Sequence, residues 1–400
     1  MRKLTLFLLV WVAAAVAQGP RIEISHTDQG LRGVSAVSRQ IAWASGTHGT
    51  YLRTTDGGRT WTPAQVPDAA SLDFRAVVAF SADEAFLMSA GPGDQSRIYH
   101  TTDAGQHWDL QFTNPNPKGF FDSMVFWDPT HGIVLGDPVP DDKGQLKFEL
   151  LMTDDGKTWH EIPRQQLPPA IAGEGAFAAS NSCIAILREW KSGASAPSEA
   201  VWKSGASAPR QPSENEGASA PDPNLWFATG GKAARVFHSS DRGKTWEVYP
   251  TPILHGPDSA GIFSIAFRDA THGVIAGGDY KRPNDDGPNL AFTSDGGKTW
   301  TLSDIHPQAY FSAVAYDSRV NEEAMRQKAA ESNQKPRISP AVPERLFIAG
   351  TDFVFDFRPP HNPRRINGKR KQHITFNAIA AFPEGGALAA GPKGSIAFIP

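Results

Sequence analysis

One eight-residue phrase occurs five times in this chain, and nothing else in the sequence constrains its fold as strongly. It first appears as Thr54-Thr55-Asp56-Gly57-Gly58-Arg59-Thr60-Trp61 and returns at 101–108, 152–159, 239–246 and 293–300. The shared template is Ser/Thr-x-Asp-x-Gly-x-Thr-Trp, with single departures such as Met152 and His107. Asp56, Asp103, Asp154, Asp241 and Asp295 hold one position. Gly58, Gly105, Gly156, Gly243 and Gly297 hold a second, and Trp61, Trp108, Trp159, Trp246 and Trp300 close each copy. An Asp side chain accepts backbone N–H bonds from residues just ahead of it and so secures a tight turn. A glycine two places on supplies the positive φ that such a turn needs. The tryptophan is expected to bury its ring between strands while its N–H finds a carbonyl. These residues are therefore structural.

Successive box aspartates lie 47, 51, 87 and 54 residues apart. A period of about 40–50 residues suits a four-stranded propeller blade. A second phrase keeps the same period: Asp128-Pro129-Thr130-His131-Gly132 matches Asp269-Ala270-Thr271-His272-Gly273. Cutting at short apolar runs gives blades near 30–66, 73–113, 119–163, 173–250, 260–303, 309–360 and 373–400. The last offers three strands, and Arg21–Thr27 is a spare strand ahead of the first blade. Pairing the two closes a ring and removes an exposed sheet edge. The expectation is an all-β, seven-bladed propeller spanning 18–400. Six or eight blades are the alternatives, since the last two segments lack a box.

Composition agrees with one globular unit. Hydrophobic residues make up 40% of the chain, enough for a core, while 37 glycines and 32 prolines imply many turns. A formal charge of −3 gives no support for a nucleic-acid partner. A single cysteine, Cys183, excludes an intramolecular disulfide framework and a cysteine-rich metal site, and within its apolar stretch it reads as a small buried hydrophobe, so no disulfide-linked partner is expected. Arg2 and Lys3 followed by the apolar run Leu4–Val16 and Ala15-Val16-Ala17 read as a signal peptide over 1–17. The expected location is periplasmic or extracellular. Residues 190–223 carry a low-complexity repeat (Trp190 to Pro197, then Trp202 to Pro209) that reads as a disordered insertion. Residues 318–343 read as a second insertion.

The boxes resemble the BNR or Asp-box repeats of sialidases, sortilin-type receptors and photosystem II stability/assembly factor-like propellers. The chain is most similar to the last group and its bacterial exported relatives. The residues carrying this are Phe120–Trp127, His131–Pro138, Gly173–Ser180 and Ala260–Phe267. The resemblance implies a non-enzymatic protein-binding or assembly module whose partner is another exported or membrane protein. Sialidases need an early Arg-Ile-Pro motif, and Arg21-Ile22-Glu23 lacks the proline. No glycine-rich dinucleotide fingerprint or ligand spacing for a metal stands in the sequence, so no cofactor, metal or catalytic residue is assigned. The alternative is a glycoside hydrolase acting on carbohydrate through the face opposite the boxes.

That face is where a site is expected. Each box joins the third and fourth strands of a blade, so loops between second and third strands emerge at the other end. These loops, with the inter-blade connections, collect Asp137, Glu174, His255, Asp279, Tyr280, Lys281 and Arg282 as the candidate binding face. Asp137 and Asp279 occupy matching repeat positions and would serve as glycosidase acids only at about 5–10 Å separation. His131 and His272 also match, which favours a structural role. The basic run 364–371 reads as a solvated loop.

Overall fold

The computed structural model describes residues 21–187, 222–304, 309–318, 345–351, 353–357, 364–365 and 374–400. The signal-peptide reading, nearly all of both insertions and most of the basic run lie outside the described residues. Strand β1 is Arg21–Glu23. The first sheet follows as β2 Leu31–Ala36, β3 Ala42–Gly46, β4 Thr50–Thr54 and β5 Thr62–Gln65. The second holds β6 Phe74–Ala79, β7 Ala85–Ser89, β8 Arg97–Thr101 and β9 Asp109–Thr113. The third holds β10 Phe121–Asp128, β11 His131–Pro140, β12 Leu146–Thr153 and β13 His160–Glu161.

The next stretch is irregular. A two-residue strand, β14 Glu174–Gly175, precedes β15 Ile184–Ile186 and β16 Leu225–Ala228. Another short strand, β17 Gly230–Gly231, precedes β18 Arg235–Ser239 and β19 Glu247–Pro250. Strands β15, β16, β18 and β19 form a sheet of their own. Strands β14 and β17 instead extend the following sheet, β20 Ala260–Phe267, β21 Gly273–Asp279, β22 Leu290–Thr293 and β23 Thr301–Leu302. Glycine makes that join feasible: a Cβ on Gly261 would lie 2.3 Å from the Gly230 Cα, so only glycines let β17 and β20 approach. The remaining strands are β24 Phe311–Tyr316, β25 Leu346–Gly350, β26 Phe353–Phe357 and β27 Arg364–Arg365, then β28 Ala378–Ala381, β29 Ala387–Ala390 and β30 Ile396–Ile399. Strand β1 pairs antiparallel with β30, Ile22 facing Ala397.

The molecule is thus an all-β propeller. Among the described residues, six sheets are regular four-stranded blades and one further sheet has six strands. The expectation of seven like blades is corrected to that extent. The cause is local: residues 174–175 and 230–231 leave their own blade to join the next.

The core lies between sheets. Each hydrophobic cluster is built from two neighbouring sheets, as where Phe148 of β12 meets Phe227 and Phe237 of the next sheet in edge-on contacts. Trp226, fully buried, stacks on Phe267 of the following sheet at 3.8 Å and donates its N–H to the Gly296 carbonyl. Inner strands pack in chain order from β2 through β6, β10, β15, β20 and β24 to β28, and β28 packs on β2. Register fixes the two faces. Leu31 pairs with Gly46 at one end of the first sheet, while Ala42 pairs with Thr54, the first residue of the box, at the other.

Candidate functional site

The box turns define the face that is already occupied by structure. In the first box the Thr60 hydroxyl and backbone N–H both donate to Asp56, which also receives the Thr54 hydroxyl. Those donors hold the Asp56 carboxyl down at about 2, the Thr60 hydroxyl contributing most. Asp103 is likewise held at about 2, first by the His107 backbone N–H and then by the His107 side chain. Asp241 and Asp295 make the same set of bonds with Thr245 and Thr299. All five box glycines have φ between 68° and 90°.

Two expectations about the boxes need correction. In the third box the turn is secured by Asp155, not Asp154. Asp155 accepts from the Lys157 and Thr158 N–H groups and from the Thr153 and Thr158 hydroxyls. Residue 152 is Met, so the hydroxyl that starts the turn is Thr153 and the loop is one residue shorter. Asp154 points instead toward His160 at 3.8 Å. Nor do all the indoles find a carbonyl. Trp246 and Trp300 donate to Gly243 and Gly297, Trp159 donates to the Gln111 side chain, and Trp61 and Trp108 leave a buried N–H without a partner. His131 and His272 each bond the aspartate three residues earlier, Asp128 and Asp269, in matching turns.

At the opposite end, the candidate residues separate into two groups. Glu174 has a fully buried side chain that receives Arg235, the Thr229 hydroxyl and the Ile171 N–H. Asp279 is 3% exposed and accepts from the Lys281 N–H and Arg282 Nε. Burial would raise its carboxyl, but bonds from Ser259, Arg282 and Lys281 prevail and hold it below the ordinary range. Both acids are therefore internal braces, which corrects their reading as exposed loop charges. They sit on strands three hydrogen-bonded steps apart in one sheet, roughly 14 Å at ~4.8 Å per step, with their oxygens already taken. His255, Tyr280, Lys281 and Arg282 are exposed at the rim.

Asp137 differs from its repeat partner Asp279. It is half-buried, its side chain accepts the Ala176 N–H, and it faces Glu149. Burial pushes its carboxyl up to about 6. Deeper lies Asp122, 1% exposed, with Oδ2 unpaired and its carboxyl raised well above the usual range by burial and then by Asp137.

Apart from Tyr280, the residues that converge on the axis are ones the sequence did not single out as a site. Arg32 at the start of β2 and Asp73 just before β6 face each other at 3.8 Å, and Arg32 Nε and Asp73 Oδ1 are buried without hydrogen-bond partners. Arg75 bonds Asp73 at 2.9 Å and reaches across to the Ala178 carbonyl. An aromatic group stands beside them. Phe177 stacks on Phe263 at 3.9 Å, and Tyr310 and Tyr280 meet Phe263 edge-on at 4.7 and 6.2 Å. Burial raises the Tyr310 hydroxyl, and the charge of Arg32 opposes that rise. Cations, one acid and aromatic rings thus share the mouth, with Tyr280 48% exposed at its edge. Such a group can hold a carboxylate and an apolar side chain together.

The family model for photosynthesis system II assembly factor YCF48 matches residues 20–117, which include Arg32, Asp73 and Arg75. Over 67 residues the chain is 36% identical to the chloroplastic photosystem II stability/assembly factor HCF136 of Arabidopsis thaliana. That match spans 16% of this chain and 16% of the relative. Among solved structures, YCF48 bound to D1 peptide is similar with a TM-score of 0.58 and 14% identity, covering 96% of this chain and 97% of the other. A streptogramin B lyase is similar with a TM-score of 0.55 and 11% identity, covering 95% and 97%. At these identities the structures speak for the propeller fold.

Proposed function

We propose, from the premise that this chain is a photosystem II assembly factor-like β-propeller, that it is an exported, non-enzymatic module holding an acidic segment of another protein across its mouth. The observation that carries this is the Arg32–Asp73 pair, two buried polar atoms facing each other beyond hydrogen-bond distance next to an aromatic platform. Buried polar groups without partners are uncommon, and a carboxylate from a ligand would give the Arg32 guanidinium its acceptor. Phe263, Tyr310 and Tyr280 would receive an apolar or aromatic side chain beside it. The YCF48 structure with its D1 peptide is a case of a peptide ligand on a similar fold. Export rests on Arg2, Lys3 and the apolar run up to Val16.

The finer architecture belongs to the same reading. We take the six-stranded sheet as a seventh blade and the β1–β30 pairing as the closure of the ring. The order in which inner strands pack, ending with β28 on β2, supports it.

One feature favours the glycoside hydrolase alternative: a carboxyl raised to about 6, at Asp137, is suited to donating a proton near neutrality. A single assay series separates the two. Fluorescence anisotropy with a labelled D1 peptide and its charge-reversed copy is expected to show tighter binding of the more acidic one. Arg32→Ala should weaken that binding roughly ten-fold, the scale of one charged hydrogen bond. Equal binding of both peptides, or no effect of Arg32→Ala, would overturn the proposed site. Hydrolysis of a glycoside that disappears in Asp137→Asn would instead establish the alternative.

A further inference from the structure

The segment between β14 and β15 does not run as an inner strand should. Residues 176–182 leave the strand and make contacts with four sheets. Ala176 donates its N–H to Asp137 of β11 at 3.0 Å, and the Ala178 N–H reaches Asp122 of β10. The Ala178 carbonyl accepts Arg75 Nη1 of β6 at 3.0 Å. Asn181 accepts the Met124 N–H, Ser180 donates to the Ser312 carbonyl of β24, and Ser182 donates to Ser264 of β20. A segment bonded to sheets on several sides of the axis lies across the channel.

We propose that residues 176–182 are a plug in the central channel, latched to the third sheet by Asp122 and Asp137, and that uptake and release of protons by those two carboxyls tighten and loosen it. The latch is asymmetric in charge. The groups facing Asp137 are Glu149 from β12 and Asp122 from β10; those facing Asp122 are Asp137, Arg75, Glu149 and the Cys183 thiol. Glu149 is itself held by Asn114, Asn116 and Arg164. Arg164 answers Glu149, and Arg75 is the cation that faces Asp122, so a second negative charge on the Asp122–Asp137 pair is poorly compensated. Burial already holds the Asp137 carboxyl at about 6 and raises that of Asp122 well above the ordinary range. Ionising Asp137 with the plug shut places two acids together out of water, whereas opening lets water reach them. The plug is therefore tightest near pH 4 and loosens as pH rises through about 6.

Hydrogen exchange of the full chain, read in the 174–183 stretch at pH 5.0 and 7.5 and corrected for intrinsic rates, tests this. The wild type should be protected roughly ten-fold more at pH 5.0. Asp137→Asn keeps an oxygen for Ala176 without the charge and should shrink the pH difference, and the Asp122→Asn, Asp137→Asn double variant should show the low-pH protection at both pH values. The 85–101 stretch serves as the control for global unfolding. Protection in wild type that does not change with pH overturns the proposal. So does a pH difference that persists in the Asp122→Asn, Asp137→Asn double variant while the 85–101 stretch stays protected.

Discussion

Aspartate is used in opposite ways at the two ends of this propeller. At the box turns, Asp56 and Asp103 are exposed to solvent at their edges and surrounded by donors, so their charge is favoured and their carboxyls sit near 2. Between the third and fourth blades, Asp122 is buried and Asp137 half-buried, each with few donors, so the charge is disfavoured and the carboxyls rise. Repetition does not decide the matter: Asp137 and Asp279 occupy matching positions, yet Asp279 has Arg282 and falls while Asp137 has a backbone N–H and rises. The number of donors around a carboxylate, more than its depth, separates scaffold from a group that titrates. The box end uses its aspartates only as scaffold, while the far end sets braces such as Glu174 beside carboxyls that titrate.

The comparison can be broken most sharply at Glu174. Removing it leaves Arg235 facing a buried site without its acid, and Glu174→Ala should cost about 3–5 kcal/mol, the range for breaking a buried pair. Chemical denaturation measures this, and a loss under about 1 kcal/mol would show that the brace is dispensable.

Asp137→Asn should act in the other direction. A carboxyl raised in the folded protein contributes stability when protonated, present below its unfolded value near 4 and lost as pH rises through about 6. The variant should therefore be more stable than wild type at pH 7 by roughly 1–3 kcal/mol, since each tenfold change in proton affinity is worth about 1.4 kcal/mol. That advantage should vanish toward pH 4. An advantage independent of pH would assign the effect to packing.

Asp295→Ala addresses the box end, with a smaller effect. It removes bonds from Thr293 and Thr299 and should cost about 1 kcal/mol at neutral pH. Here burial opposes the Thr299 bonds, which nonetheless hold the carboxyl at about 2. The wild-type benefit is present above the unfolded value near 4 and fades as pH falls toward 2. A cost that stayed constant down to pH 2 would contradict this account of the turn. The smallest effect is expected at His255, exposed on the rim, where His255→Ala should change stability by less than about 0.5 kcal/mol.

Much of the fold is legible in the sequence because its signals are local. A turn of eight residues repeats its own chemistry, and strands such as β2 to β5 fall where the apolar runs of the first blade place them. The third box departs from its template by one residue, and the sequence does carry a signal of it: only Thr153, not Met152, can start the turn, which moves the acid to Asp155. The braces escape a sequence reading because their partners are distant. Glu174 meets Arg235 across 61 residues, and no pattern around Glu174 announces it. The mouth is illegible for the same reason. Arg32, Asp73, Phe177, Phe263 and Tyr310 come from five segments with no shared spacing, and only the ring brings them together. The plug is hidden by its composition, since an Ala- and Ser-rich stretch reads as an ordinary inner strand.

The central claim is that binding belongs to the mouth and the boxes only hold the fold. The most direct measurement is the affinity of the more acidic of the two labelled peptides for wild type, Arg32→Ala and Asp295→Ala, each at a temperature where circular dichroism shows it fully folded. The account predicts roughly ten-fold weaker binding for Arg32→Ala and no change for Asp295→Ala. Weaker binding in Asp295→Ala with Arg32→Ala unaffected would contradict it.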